Sequence, residues 1–418
     1  MNFLYIYSME QDKNQLVPTT QEKRIISLDL LRGIAVLGIL IVNMQSFSMI
    51  EAAYLNPTAY GDLSGLNRQV WLFVHVFGDQ KFLALFSMLF GVGIVLFTEK
   101  LEANGQRVAG IYYSRLFWLL AFGLIHAYLF WYGDILVSYA ISGALVYPLR
   151  RWKVRGLFTL GLALMAVPAF NYWLFGASMK YWPPDAVDEL LHSWKPDAAA
   201  IAKEIETMTG GWVEQIIWRA KTTWKMQTFV YAILLGWKTA GLMIVGMGLY
   251  KSGIIIAKKS NLFYFLMGLI GLGVGLSLII QGVNKNFEVG WTVQYSMFLG
   301  WEWNYIGSFF MSLFYLSVVM FWARTDVFVR AQNILAAAGR MAFSNYILTT
   351  IICVIFFNGF GFLGKVDRVA QMVMVAVVWI ILLLFSNIWL HYYKFGPLEW
   401  LWRSLTYKKK LSNTSDNQ

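Results

Sequence analysis

Charge is scarce in this chain. Only 14% of its 418 residues are Asp, Glu, Lys or Arg, where a soluble domain has about 25%. Hydrophobic residues make up 58%, more apolar surface than a water-facing fold hides. Both numbers exclude a soluble globular class. Cysteine is nearly absent too. Cys353 stands alone in an apolar run, so no intramolecular disulfide and no cysteine-based metal centre can form. Histidine is rare and scattered. His75, His126, His192 and His391 include no pair at helical ligand spacing, which argues against zinc, and no bound cofactor is expected. The opening "MNFLYIYSME" lacks a basic leader and its apolar run is short, so it does not read as a secretory signal. "GLGVG" at 271–275 lies inside an apolar stretch and is no nucleotide loop.

What is present is a succession of apolar stretches long enough to cross a bilayer. Ten spans are expected, at about 30–50, 79–98, 113–132, 134–150, 156–176, 227–250, 261–281, 303–323, 333–357 and 370–393. The third and fourth are joined by little more than "WYGD" and should form a tight hairpin. The fold class is therefore all-α, a polytopic membrane bundle with the lipid bilayer as its first partner. Residues 1–24 read as a cytoplasmic tail, 25–407 as the bundle and 408–418 as a disordered tail.

The formal net charge of +11 does not point to nucleic acid. Of the 34 basic residues, 19 fall in the tails and short loops of one side, including "RRWKVR" at 150–155. Five fall in short segments of the other side, and six in the long 177–226 segment, which counts little for orientation. The first side is cytoplasmic, so both termini face the cytoplasm and the protein is expected in the inner membrane. Segment 177–226 holds Trp182, Trp194, Trp212, Trp218 and Trp224, and reads as helical pieces broken at Gly210-Gly211. It either lies on the outer leaflet, anchored by indoles, or forms a lid over an outward-facing cavity.

Polar groups within the spans are the best guide to function, because hydrocarbon does not tolerate them idly. In "LDLLRGIAVLGILIVNMQSF" (28–47), Arg32 and Asn43 are eleven residues apart. They share a helix face with a rise of about 16 Å between them. Asp29 lies one turn before Arg32, at ion-pairing distance. The third span repeats the spacing: Arg115 and His126 are also eleven apart, and Asp134 follows. A histidine oriented by a carboxylate is a proton carrier near neutral pH; the plainer reading is a hydrogen-bonded packing residue. His75, Asp79 and Lys81 stand at the outer start of the second span, Lys238 in the sixth, and Arg340, Ser344 and Asn345 in the ninth. Ser and Asn at such depths commonly link helices, and glycines in "FGVG", "GLGVG" and "GMGLYKSG" allow close helix approach.

"RIISLDLLRGIAVLGILIVN", "KFLALFSMLFGVG", "GLIHAYLFWYGDILVSYAISG", "GRMAFSNYILTTIIC" and "GPLEWLWRSLTY" together resemble the YeiB-like family of bacterial inner-membrane proteins, from about Arg24 to Tyr407. That resemblance implies a multi-pass membrane protein, loosely associated with transport. "LDLLRGIAVLGILIVN" also looks like the first helix of the transmembrane acyltransferases. In the acyltransferase-3 branch an arginine is followed, after ten residues, by a histidine. Arg32 matches the arginine, but Asn43 holds the histidine position and cannot be a general base. The heparan glucosaminide acetyltransferase-like branch is similar in having Asn there, with its working histidine in the following outer segment, where His75 falls.

Two functions follow. In acyl transfer, a cytoplasmic donor such as acyl-CoA enters near Arg32 and Arg115. His126 deprotonates the hydroxyl of an outer acceptor, an envelope glycan or small molecule. Asp134 orients His126, and Asn43 holds the acyl carbonyl. In transport without covalent chemistry, Lys238, Asn345 and Asn43 form a mid-membrane site, with Asp79 and Lys81 near its mouth. No inverted repeat is visible. The sequence leaves open which of His75 and His126 is the working histidine, and what the oligomeric state is.

Overall fold

The computed structural model describes residues 25–414. The expected N-terminal tail, 1–24, lies outside them. Among the described residues the regular structure is helical, with one isolated antiparallel bridge between Tyr393 and Thr414. In chain order the helices are α1 (Ile26–Ser48), α2 (Glu51–Leu55), α3 (Gly65–Phe73), α4 (Lys81–Ala103), α5 (Val108–Ile125) and α6 (Leu136–Val146). Then come α7 (Val154–Ser178), α8 (Pro184–Trp194), α9 (Ala198–Thr209), α10 (Trp212–Lys225), α11 (Gly236–Lys251) and α12 (Asn261–Glu288). The last are α13 (Val293–Ser296), α14 (Leu299–Trp322), α15 (Val329–Arg340), α16 (Ala342–Val354), α17 (Arg368–Tyr392) and α18 (Pro397–Tyr407).

Nine helical stretches among the described residues are long and apolar enough to cross a membrane. Eight coincide with expected spans; the one expected over 333–357 is shorter, Ala342–Gly359, because the chain breaks at Met341 between α15 and α16. The other, the expected fourth, is α6, α-helical for 11 residues and continued by a 3₁₀ turn over Tyr147–Arg151. At 1.5 and 2.0 Å per residue it reaches about 26 Å, short of the ~30 Å hydrocarbon core. Neighbouring helices cover it instead of lipid: most of its residues, from Leu136 to Ser142, are buried. Counting α6, the two ends of the described residues emerge on the same side.

Glycines set the crossings. A Cβ on Gly91 of α4 would collide with the Met243 carbonyl of α11, and one on Gly246 with the Met88 carbonyl. The "FGVG" and "GMG" stretches are thus the places where two backbones touch. Gly33 of α1 meets the Leu335 carbonyl of α15 in the same way. These two contacts hold the second span against the sixth, and the first against the helix pair that carries Thr350.

Three elements differ from expectation. α10 is not a separate surface helix. It runs through a π-helical stretch, Met226–Leu235, straight into α11, one continuous rod over Trp212–Lys251. Charged residues on α10 hide this continuity from a hydropathy reading. The break at Gly210-Gly211 is present, between α9 and α10. α18 is an amphipathic helix with Trp402 and Thr406 buried, laid along α5. The tail beyond it is not loose over its first part. Trp400 donates to the Leu411 carbonyl, and Asn413 accepts from the Phe395 backbone N–H (2.9 Å).

Candidate functional site

The third span ends abruptly. After Ile125 the helix widens into one π-helical turn, His126–Phe130, and the Trp131 N–H closes it on the His126 carbonyl at 2.9 Å. Such turns concentrate at functional sites. The chain then reverses over Tyr132 and Gly133, which returns Asp134 to the histidine. Nδ1 of His126 lies 2.7 Å from Oδ2 of Asp134, with the two side chains 2% and 0% exposed. The other carboxylate oxygen accepts the Val137 backbone N–H at 2.9 Å, so the carboxylate is held from both sides. A carboxylate accepts, so Nδ1 carries the proton and Nε2 is left as the acceptor. Nε2 lies 3.0 Å from Oγ1 of Thr350, on α16. The geometry is hydroxyl, imidazole, carboxylate in line, the arrangement that makes a histidine a general base.

One turn outward is a cavity of about 20 Å³, counted as space for water centres, enough for a water molecule. Its walls include Phe47, Trp131 and Trp218, with Arg219, Glu204 and Asn358 as polar members. Asn358 follows Thr350 by eight residues on one helix face, with Val354, which also lines the cavity, between them. That places the cavity about 6–12 Å beyond Thr350 along the helix. Trp131 joins the two regions: it stands edge-on to His126 at 6.3 Å and packs against Phe47 at 4.4 Å, tilted by 35°. Two buried donors here, Nε1 of Trp131 and Nε of Arg219, find no protein acceptor among the described residues. The rest of the Arg219 guanidinium is engaged, by the Leu129 carbonyl and by Gln215 Oε1 (3.3 Å).

α9 and α10 close over this cavity. Glu204 of α9 accepts the Glu51 backbone N–H at 2.8 Å, and Thr222 of α10 donates to the Glu51 carboxylate at 3.4 Å. Burial raises the Glu51 carboxyl against the lowering effect of Lys225 and Thr222. Burial, aided by the Glu51 charge, pushes Glu204 up to about 7.

The other sequence-predicted residues fall into separate places. Asn43 is half-buried and makes no side-chain hydrogen bond among the described residues; it shares a face of α1 with Phe47, four residues on. Arg32 pairs with Asp29 at 2.8 Å at the N-terminal end of α1. Arg115 is also at that end, its guanidinium 3.6 Å from the Trp402 ring and 5.0 Å from that of Phe97. Asn345 is fully buried and links two helices, donating to Ser386 Oγ (2.8 Å) and to the Ala338 carbonyl (3.0 Å).

Asp79, Lys81 and Lys238 belong to a second polar centre. Lys81 donates to Asn304 Oδ1 (2.6 Å) and the His75 carbonyl (2.7 Å). Asn304 in turn donates to Asp79 (2.7 Å), and His75 Nδ1 is 3.5 Å from the same carboxylate. Lys238 donates to Gln80 Oε1 (2.5 Å) and faces the Tyr305 ring at 5.2 Å. Lys238, Asn345 and Asn43 thus enter no common network.

Sequence reading missed Thr350, Trp131, Arg219, Glu204, Gln80 and Asn304. It also missed Arg368, which ties Gln45 (3.0 Å) to the Pro57 carbonyl (3.2 Å). The available signal was weak: a threonine or glutamine in a span is unremarkable until its partner, hundreds of residues away, is known.

Fold and geometry together define a multi-pass, all-α membrane protein with a buried His–Asp pair beneath an outer cavity. The chain belongs to the YeiB-like family. It is 34% identical over 387 residues to the "Uncharacterized protein YeiB" of Escherichia coli (strain K12), covering 92% of this chain and 96% of that one. It is 30% identical over 414 residues to the "Uncharacterized protein YxaH" of Bacillus subtilis (strain 168), covering 94% and 97%. Residues 249–409 match the family described as "Protein of unknown function (DUF418)". No solved structure matches.

Proposed function

We propose that this protein is an inner-membrane acyltransferase that moves an acyl group from a cytoplasmic thioester donor, acyl-CoA, to a hydroxyl on the outer side. The observation that carries this reading is the alignment of Thr350, His126 and Asp134. Nε2 of His126 takes the proton of the attacking hydroxyl, and Asp134 holds the ring and stabilises the imidazolium. The hydroxyl oxygen bonds to the thioester carbonyl carbon, the C–S bond breaks, and the imidazolium returns its proton to the leaving thiolate. Asn43, whose amide meets no hydrogen-bond partner among the described residues, supplies a donor to the carbonyl oxygen. Arg32 and Arg115 mark the cytoplasmic end where an anionic donor is drawn in. The resemblance of the first helix to transmembrane acyltransferases supports the same reading.

A second reading has a specific observation behind it. The Thr350 hydroxyl already sits on Nε2, so Thr350 is itself a candidate nucleophile, carrying the acyl group as an ester before the acceptor takes it.

The test is thiol release from acetyl- and longer acyl-CoAs by the purified protein in nanodiscs, with and without hydroxyl acceptors. Wild type should release thiol, and His126→Ala should lower the rate by about 10²–10⁴-fold while the protein remains monodisperse. If wild-type protein neither binds nor turns over any acyl-CoA, the proposal fails.

A further inference from the structure

The outer cavity has a chemical signature of its own, and from it we infer that its ligand is a neutral, hydroxyl-rich molecule, a sugar unit being the class. The inference builds on the acyl-transfer reading by naming the acceptor, but it rests on different atoms. Nε1 of Trp131 and Nε of Arg219 are buried donors from two separate elements, with no protein acceptor among the described residues. Trp131 is 5% exposed and Arg219 1%. Both line one cavity, so ligand oxygens there receive two hydrogen bonds that the protein does not use.

The charged groups exclude both ionic classes. Glu204 lines the cavity and Glu51 stands directly behind it, so an anion that satisfied the donors would be opposed by two carboxyl groups. A cation would meet the Arg219 guanidinium and an indole N–H, neither of which can accept. A hydroxyl suits all of them. Its oxygen accepts from Trp131 or Arg219, and its proton goes to Glu204 or to the Asn358 side chain. The walls add an apolar requirement. Phe47, Trp131 and Trp218 offer ring faces and edges that pack against C–H groups, the mixture found in sites where a few polar groups fix orientation.

The cavity admits only a fragment of such a ligand while α9 and α10 lie over it. Entry therefore requires α9 to lift away from α10, which is continuous with α11 and stays in place. The polar tie of α9 to the body near Glu51 is one hydrogen bond, Glu204 to the Glu51 N–H, whereas α10 is held by Thr222, Thr223 and Arg219. Thr350, Val354 and Asn358 follow one another at four-residue intervals between the histidine and the cavity.

The experiment measures ligand binding without acyl donor, so that it does not depend on turnover. Full-length protein in nanodiscs, free of sugar-headed detergent, is titrated by saturation-transfer NMR. The probes are methyl β-glucoside and N-acetylglucosamine, with glucuronate as the anionic and glucosamine as the cationic comparator. The neutral probes should bind more tightly than either charged one. Trp131→Phe, which keeps a ring and removes the N–H, should weaken neutral binding about tenfold, equivalent to one hydrogen bond of ~1.4 kcal/mol. Glu204→Gln should narrow the discrimination against glucuronate. Wild-type protein that binds the neutral probes but releases no thiol from any acyl-CoA would overturn the acyl-transfer reading alone. The inference is overturned if no neutral probe binds wild type, if glucuronate binds more tightly than methyl β-glucoside, or if both Trp131→Phe and Glu204→Gln leave every affinity unchanged.

Discussion

Two polar centres sit at the outer ends of spans, and they begin alike. In each, a π-helical turn carries a histidine, His75 in Val74–Gly78 and His126 at the head of His126–Phe130. In each, an aspartate follows shortly. The outcomes differ because of what the partner helices contribute. Around Asp79, α14 supplies Asn304, and α4 supplies Lys81, which is satisfied by Asn304 and the His75 carbonyl. The histidine–carboxylate distance there is 3.5 Å, and the His75 ring stacks on Trp71 at 5.0 Å. Around Asp134 the histidine contact is 2.7 Å, the second ring nitrogen meets the Thr350 hydroxyl, which also reaches the Tyr346 carbonyl at 3.4 Å, and donors without protein acceptors among the described residues lie one to two turns beyond. A saturated network holds helices together. One with unused donors and a base beside a cavity is suited to an incoming molecule.

The sharpest way to break this contrast is to remove the carboxylate that orients the base. Asp134→Asn should lower acyl transfer by about 10²–10⁴-fold, while the fold survives because an amide still accepts the Val137 N–H. Equal loss on His75→Ala, in protein that stays folded, would show that the two centres work as one and that the division drawn here is wrong.

Next in size is the converse experiment on the other centre. Lys81→Met leaves Asp79, Asn304 Oδ1 and the His75 carbonyl without their cation. Breaking a buried pair in this way costs about 3–5 kcal/mol, read as a large drop in the thermal unfolding midpoint. Turnover per folded molecule should stay near wild type. A variant that unfolds normally but is inactive would move Lys81 into the chemistry.

These contrasts explain what the sequence could disclose. The membrane class, the positions of the spans and the pairing of His126 with Asp134 follow from local pattern: apolar length, helical spacing and a short "WYGD" turn. The identity of the histidine's third partner does not. Thr350 is 224 positions from His126, and only packing of α16 against the end of α5 brings them together. The lid was half-legible for a similar reason. Trp212, Trp218 and the break at Gly210-Gly211 were visible, but a charged helix continuous with a span defeats a window that averages hydropathy. Lys238 looked functional because a mid-span amine demands a partner; that partner, Gln80, sits at a left-handed backbone position, φ 67°, which no composition rule announces.

A smaller effect separates the two chemical readings within the His126 centre. If the acceptor attacks directly, Thr350→Val removes one neutral hydrogen bond and should cost about tenfold or less in rate. If Thr350 carries the acyl group, the same change should abolish turnover, and wild type mixed with acyl-CoA alone should gain the mass of one acyl group on the peptide containing residue 350.

The smallest expected effect concerns the lid and the pH outside. Glu204 is raised from an ordinary 4.5 to about 7 when α9 is docked. Docking therefore takes up a proton between those values, and linkage fixes the sign: the closed arrangement is favoured below about pH 4.5 and loses that advantage progressively as pH rises through 7. Burial sets this direction, against the lowering effect of the Glu51 backbone N–H. The Glu51 carboxylate repels it once ionised, whereas Lys225 is exposed and acts on Glu51. Hydrogen exchange of residues 198–209, corrected for intrinsic rates, should be a few-fold faster at pH 8 than at pH 5, and Glu204→Gln should flatten the difference. Protection that instead rises with pH would mean that α9 is held by the ionised carboxylate at the Glu51 N–H, making the contact a clamp and not a latch that loosens as the outside turns alkaline.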